Sequence, residues 1–198
     1  MIYKSLKEIC EMAETDQIPF WKVILRDDCT ERNVEEGASF DQMRAMYRAM
    51  IHADEACTGT RKSNSGMVGG DGKRLESYVA EGKAMSGPFV GKVMERAVKM
   101  GESNACMRRI VAAPTAGSCG VLPAVLLTYA DQIDADEDKI VEALYAAAGI
   151  GQIIAHRASI SGAFGGCQAE IGSASAMAAG ALVHLQGGSN EDICCAVA

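Results

Sequence analysis

The chain has 198 residues, enough to bury a sizeable core in one domain or at most two. Apolar residues make up 48% but aromatics only 5%, so a core must be built from aliphatic side chains, Met and Ala, which suits close-packed helices better than a β-sandwich. A net charge of -7 with no basic stripe argues against nucleic acid or an anionic membrane surface as the main partner, and no apolar run reaches the roughly 18 residues needed to span a bilayer. The expectation is a soluble, cytoplasmic, all-α protein whose ligand is small.

Ser5 with Glu8 makes a capping-box pattern, and the helix it opens is predicted to run to about Glu14. Pro19 suits the first turn of a second helix that continues to about Arg32. Ser39 with Gln42 repeats the capping pattern. Met43, Met46, Tyr47, Met50 and Ile51 then follow at helical spacing and predict a buried stripe that ends near Gly59.

Ser63 to Lys73 breaks this rhythm, with Gly66, Gly69, Gly70 and Gly72 in quick succession and no helical period. Such backbone can present several N–H groups to one anion, with Lys73 and Arg74 adding positive charge at the exit. An ordinary flexible loop fits the same residues. The stretch lacks the glycine spacings of nucleotide-phosphate loops.

Helical patterns resume over about Leu75–Glu81 and Pro88–Met100, with Ser86 as the cap before Pro88. A second irregular stretch, Pro114-Thr115-Ala116-Gly117-Ser118-Cys119-Gly120, runs straight into an apolar helix that starts at Val121 and continues to about Tyr129. A glycine-containing turn at a helix N-terminus is a place where a small anion binds readily, and equally a tight connection between two helices. Asp136 is the predicted cap of a helix carrying Ile140, Val141, Leu144, Tyr145 and Ala148, which Gly149 and Gly151 are expected to kink or thin. His156, near the end of that pattern, is a candidate proton-transfer group, or a surface or capping histidine.

The stretch Ser161 to Gly180 opens with a glycine-rich turn, Gly162 to Gly166, and continues as a run of small residues without Pro. Cys167 falls at the junction, where unpaired backbone N–H groups and the helix dipole favour a thiolate. Such a thiolate is a candidate nucleophile or metal ligand, and a small buried core residue is the alternative. Ser189 with Asp192 opens a last helix, which reaches the end of the sequence at Ala198 with no C-cap. We read residues 1–198 as a single helical domain that stops inside an element. The eight cysteines, at positions 10, 29, 57, 106, 119, 167, 194 and 195, form no C-x-x-C pair, so any metal site must gather ligands from distant parts of the chain.

Three segments, S-N-S-G-M-V-G-G-D-G-K (63 to 73), A-A-P-T-A-G-S-C-G-V-L-P (112 to 123) and S-G-A-F-G-G-C-Q-A-E-I-G-S-A-S-A-M-A-A-G (161 to 180), occur in that order. They resemble the α chain of iron-sulfur-dependent L-serine dehydratase (L-serine ammonia-lyase), and the similarity runs along essentially the whole chain. The resemblance implies an all-helical catalytic domain; the three Gly-rich turns themselves, at 63 to 73, 114 to 120 and 161 to 167, two of which lead directly into apolar helices, are expected to come together at helix N-termini. The resemblance also implies elimination of water from L-serine, a 4Fe-4S cluster with Cys167 as one of three thiolate ligands, and a separate β chain as partner. It assigns the substrate carboxylate to the two earlier loops, with Ser63, Ser65, Gly66, Lys73, Thr115, Gly117 and Ser118 as candidates. The other two cluster cysteines are expected beyond residue 198, where Cys194 and Cys195 do not stand in for them. A related lyase acting on cysteine or threonine, a helical assembly subunit without chemistry, and a cluster-free thiol enzyme are the competing readings.

Overall fold

The computed structural model describes residues 2–198. Among them are ten α-helices, one 3-10 turn and no strand, so the molecule is all-α as composition suggests. The helices are α1 (Leu6–Asp16), α2 (Phe20–Arg32), α3 (Glu36–Glu55), α4 (Asp71–Ala80), α5 (Gly87–Ala105), α6 (Val121–Ile133), α7 (Glu137–Arg157), α8 (Gly162–Gly165), α9 (Cys167–Leu185) and α10 (Asn190–Val197). They gather into two compact units. One holds the residues up to Tyr47 together with Asp136–Ala198, and the other holds Arg48–Ala135.

Local chemistry sets several of the helix ends. Ser5 Oγ accepts from the Glu8 N–H, and Glu8 reaches back to the Lys4 N–H at 2.7 Å, one residue before the cap. Ser189 and Asp192 form the full reciprocal box at α10. Pro19 stands at the N-cap of α2, just ahead of its first turn.

In the first unit, α7 is the central element, packed by α2 on one side and α9 on the other. Its glycines bring the helices together and leave α7 unbroken. A Cβ on Gly149 would lie 2.4 Å from Ile24, one on Gly151 would lie 2.8 Å from the Met177 sulfur, and one on Gly180 of α9 would lie 2.2 Å from Ile150. These contacts bury Ile24, Ala143, Ala147, Ile150, Ala174 and Ala181. Trp21, Phe40 and Tyr145 add an aromatic cluster with ring centroids 6.1 to 6.4 Å apart.

The sequence pattern at Ser39 misleads. α3 begins at Glu36, and Ser39 is a buried interior residue, not a cap. Its hydroxyl lies 2.6 Å from the Tyr145 hydroxyl and donates to Asp28, a network that satisfies polar groups which burial would otherwise penalise.

In the second unit, α5 packs against both α4 and α6. A Cβ on Gly120 would meet the Ala97 carbonyl at 2.5 Å, so glycine permits the close crossing of α5 and α6. Arg96 joins the elements electrostatically, lying 3.1 Å from Asp54 and 2.5 Å from Asp131, with its side chain 12% exposed. Cys57, Met100 and Cys119 form a buried apolar cluster joined by Ile110. Burial pushes the Cys57 thiol up, and it raises the Cys119 thiol to about 11, so both sulfurs are packing groups held as thiols.

Candidate functional site

Cys167 opens α9 directly after Gly166, whose φ of 74° lies in the left-handed region that favours glycine. Ser161 caps the preceding short turn by accepting from the Ala163 N–H at 3.2 Å. The stretch is solvent-facing: Cys167 is exposed, and Phe164 beside it is 90% exposed. The small-core-residue alternative therefore fails for Cys167, since its sulfur is not packed in this chain. A Cβ on Gly162 would lie 2.6 Å from Glu170 Oε2, so the carboxylate of α9's first turn folds back over the turn. His156 sits in the last turn of α7 and is exposed, while its neighbour Arg157 donates to the Lys4 carbonyl at 2.9 Å.

The two glycine-containing turns of the second unit are more closed. Ser63 Oγ accepts from the Val68 N–H and lies 3.0 Å from Ser65 Oγ, and the Ser63 N–H donates to the Val68 carbonyl at 2.8 Å. Gly66 stands exposed at the tip with φ of 73°. α4 begins at Asp71, four residues earlier than the period suggests, so Lys73 lies on its first turn and pairs with Glu76. In the 3-10 turn Ala116–Ser118, the Thr115 and Ser118 hydroxyls are 3.1 Å apart in a reciprocal cap; Ser118 is buried and Gly117 exposed.

Both turns hang on the C-terminal end of α5. Glu102 Oε1 accepts from the Asp71 and Gly72 N–H groups at 2.7 and 3.1 Å, and Asn104 donates to the Ala116 carbonyl at 2.9 Å. The sequence gives no warning of Glu102, because the apolar period fades at Met100 and leaves the glutamate outside the predicted helix. A carboxylate three residues after a lysine on a helix normally reads as a solvated face.

The remaining cysteines do not assemble a metal site. Cys10 and Cys194 are neighbours, with sulfurs 3.4 Å apart, and burial beside Cys194 pushes the Cys10 thiol up to about 12. Among the described residues, no three His, Cys, Asp or Glu side chains are grouped as a metal would need. Cys167 is thus not joined by two further such side chains among the described residues.

Fold and turns together define a helical protein with one exposed thiol at a helix N-terminus and two closed turns anchored on a single helix end. The family model described as serine dehydratase alpha chain matches residues 15–198, and the chain belongs to this family. It is 37% identical over 192 residues to the probable L-serine dehydratase alpha chain of Bacillus subtilis, covering 96% of this chain and 63% of the relative. It is also 37% identical over 188 residues to the L-serine dehydratase alpha chain of Peptoniphilus asaccharolyticus, covering 94% of this chain and 64% of that one. A shorter match, 46% identical over 101 residues, links half of this chain to 22% of L-serine dehydratase 1 of Escherichia coli. The chain therefore spans a little under two thirds of the length of the alpha chains it matches. No helix among the described residues is long and apolar enough to cross a membrane.

Proposed function

We propose that the chain is the α-chain catalytic region of an L-serine dehydratase, working with a β chain to convert L-serine to pyruvate and ammonia. The α-proton and the β-hydroxyl leave together as water, giving 2-aminoacrylate, whose imine tautomer hydrolyses to the products. Hydroxide is a poor leaving group, so the reaction needs an acid at the hydroxyl and a base at the α-carbon. The observation that carries this reading is the family match over residues 15–198, within which the exposed thiol falls at a helix N-terminus.

We assign Cys167 as one thiolate ligand of a four-iron, four-sulfur cluster. No group of three His, Cys, Asp or Glu side chains is placed for a metal among the described residues, and this reading takes the remaining thiolates from elsewhere in the complete enzyme. When bound, such a cluster supplies a Lewis acid for the substrate hydroxyl. The chain's own contribution is to hold and orient the substrate. Gly66 and Gly117 present exposed backbone for its carboxylate. Ser63, Ser65, Thr115 and Ser118 keep those turns in shape through the bonds described above, and each hydroxyl has a proton it can redirect to a ligand. Lys73 adds positive charge at the first of these turns. His156 is the proposed proton-transfer group, because imidazole exchanges protons near neutral pH.

The test is anaerobic assay of the complete enzyme with L-serine, L-threonine and L-cysteine in parallel. Pyruvate and ammonia from serine at the highest kcat/KM support the reading. A preference for cysteine moves the chain to a related lyase, and no turnover of any of the three overturns the proposal.

A further inference from the structure

Within the first unit, α1 and α10 pack against each other, and each brings a cysteine to the contact. The sulfurs of Cys10 and Cys194 lie 3.4 Å apart, and Cys10 also donates to the Asn190 carbonyl, in the first turn of α10, at 3.7 Å. Both are free thiols and half-buried, so a small reagent can reach the pair. A disulfide holds its sulfurs about 2.05 Å apart, and the remaining shift of about 1.4 Å can be shared by rotation of the two side chains. Other cysteines differ in access or surroundings. Cys57 and Cys119 share an apolar cluster but are buried from reagents, whereas Cys167 and Cys195 face solvent.

The seat of α10 makes such a link consequential. At eight residues α10 is too short to hold its own helical form, so packing must hold it. Ile193 is buried, and a Cβ on Gly180 of α9 would lie 3.2 Å from Val197 and 3.5 Å from Ile193, so α10 rests on the glycine face of α9. A covalent bond across the 184 positions between Cys10 and Cys194 would restrict the unfolded chain far more than a local one.

We propose that Cys10 and Cys194 are a reversible disulfide site, closed by small-molecule disulfides, that staples α10 to α1 and so fixes the helix seated on α9. The Cys194 thiolate attacks one sulfur of the reagent, whose S–S bond breaks and whose other half leaves as a thiolate. The Cys10 sulfur then attacks the Cys194 sulfur, the mixed S–S bond breaks, and the second half leaves. Both thiol protons end on the departing thiolates; the protein is oxidised by two electrons and the reagent is reduced by two. Cys194 takes the first step because burial pushes the Cys10 thiol up to about 12, which leaves little Cys10 thiolate to meet a reagent in solution. In the second step the target sulfur is already in contact, and proximity offsets that scarcity.

The test uses the complete enzyme, reduced, freed of reductant and incubated anaerobically with oxidised glutathione. Acid quenching, alkylation of the remaining thiols and digestion without reductant precede mass mapping. The expected result is a peptide pair joined through Cys10 and Cys194 and released by dithiothreitol, with a thermal midpoint raised by about 3 °C or more over the reduced enzyme. Cys10→Ser should leave glutathione on Cys194 and a midpoint that oxidation does not raise, whereas Cys195→Ser should keep the linked pair. Linkage of Cys10 to Cys195, a wild-type Cys194 that stays free or glutathione-capped, or a linked pair with an unchanged midpoint would each overturn the proposal. Should Cys10→Ser fail to fold, wild type decides through the linked peptide and its midpoint. None of these readouts uses serine turnover, so the outcome is independent of the function proposed above.

Discussion

The turn before Cys167 and the turn at Ser63–Val68 are both rich in glycine, yet they are built for different ends. At Ser63–Val68 the hydroxyls bond the turn's own backbone, and Glu102 and Asn104 tie this turn's exit helix and its partner turn to α5. At Gly162–Cys167 Ser161 caps the turn, and the sulfur and the Phe164 ring face solvent. Glycine content alone does not distinguish a closed turn from an open one. The distinction lies in where the neighbouring polar groups spend their hydrogen bonds.

The largest effects should come from the packing that holds the open turn's helix in place. Gly180→Val puts methyl groups where Ile150 already stands and should destabilise the protein by about 3 kcal/mol. Thermal or urea unfolding measures this, and a loss below about 1 kcal/mol would mean that the α7–α9 contact yields easily. Ser39→Ala removes the hydroxyl between Asp28 and Tyr145 and should cost about 1–2 kcal/mol, because it strands buried polar groups. In contrast, Gly172→Ala on the open face of α9 meets nothing within 4 Å and should stabilise by about 0.5–1 kcal/mol through helix propensity.

Thiol chemistry sharpens the same contrast between open and closed regions. Under native conditions iodoacetamide should modify the exposed Cys167 and Cys195 well before the buried Cys57 and Cys119, whose thiols are raised by desolvation. Peptide mass mapping over time reads the order, and early labelling of Cys119 would contradict the packing of the second unit. The smallest effect is at His184, whose pKa burial lowers from 6.5 despite the attraction of nearby Glu142. The unfolded chain then takes up this proton first as pH falls. Stability should therefore decline as pH drops through about 6.5 and level off below the lowered native value. His184→Gln should remove that part of the pH slope in denaturation curves.

Much of the helical frame could be read in the sequence. The caps at Ser5 and Ser189 work through residues three positions away, so a local pattern suffices to find them. Ser39 obeys the same pattern and is no cap, because its partners Asp28 and Tyr145 come from other helices. Gly149 and Gly151 suggest a weakened helix when viewed alone; the side chains that fill their space, Ile24 and Met177, belong to α2 and α9. At the site, Cys167's place at a helix N-terminus was legible from a glycine-rich turn followed by small residues, while its exposure was not. Glu102 escaped notice because its role depends on α4 beginning at Asp71, inside what the glycines mark as loop.

The most direct measurement concerns Cys167. Complete wild-type and Cys167→Ser enzymes are reconstituted anaerobically with iron and sulfide, then compared for iron content, visible absorbance and pyruvate formation from L-serine. Because the side chain is exposed, the substitution should shift stability by no more than about 0.5 kcal/mol and leave the helical circular dichroism intact. The ligand assignment predicts that iron, brown absorbance and turnover are lost together in this folded variant. A folded variant with iron and turnover near wild-type levels would contradict it.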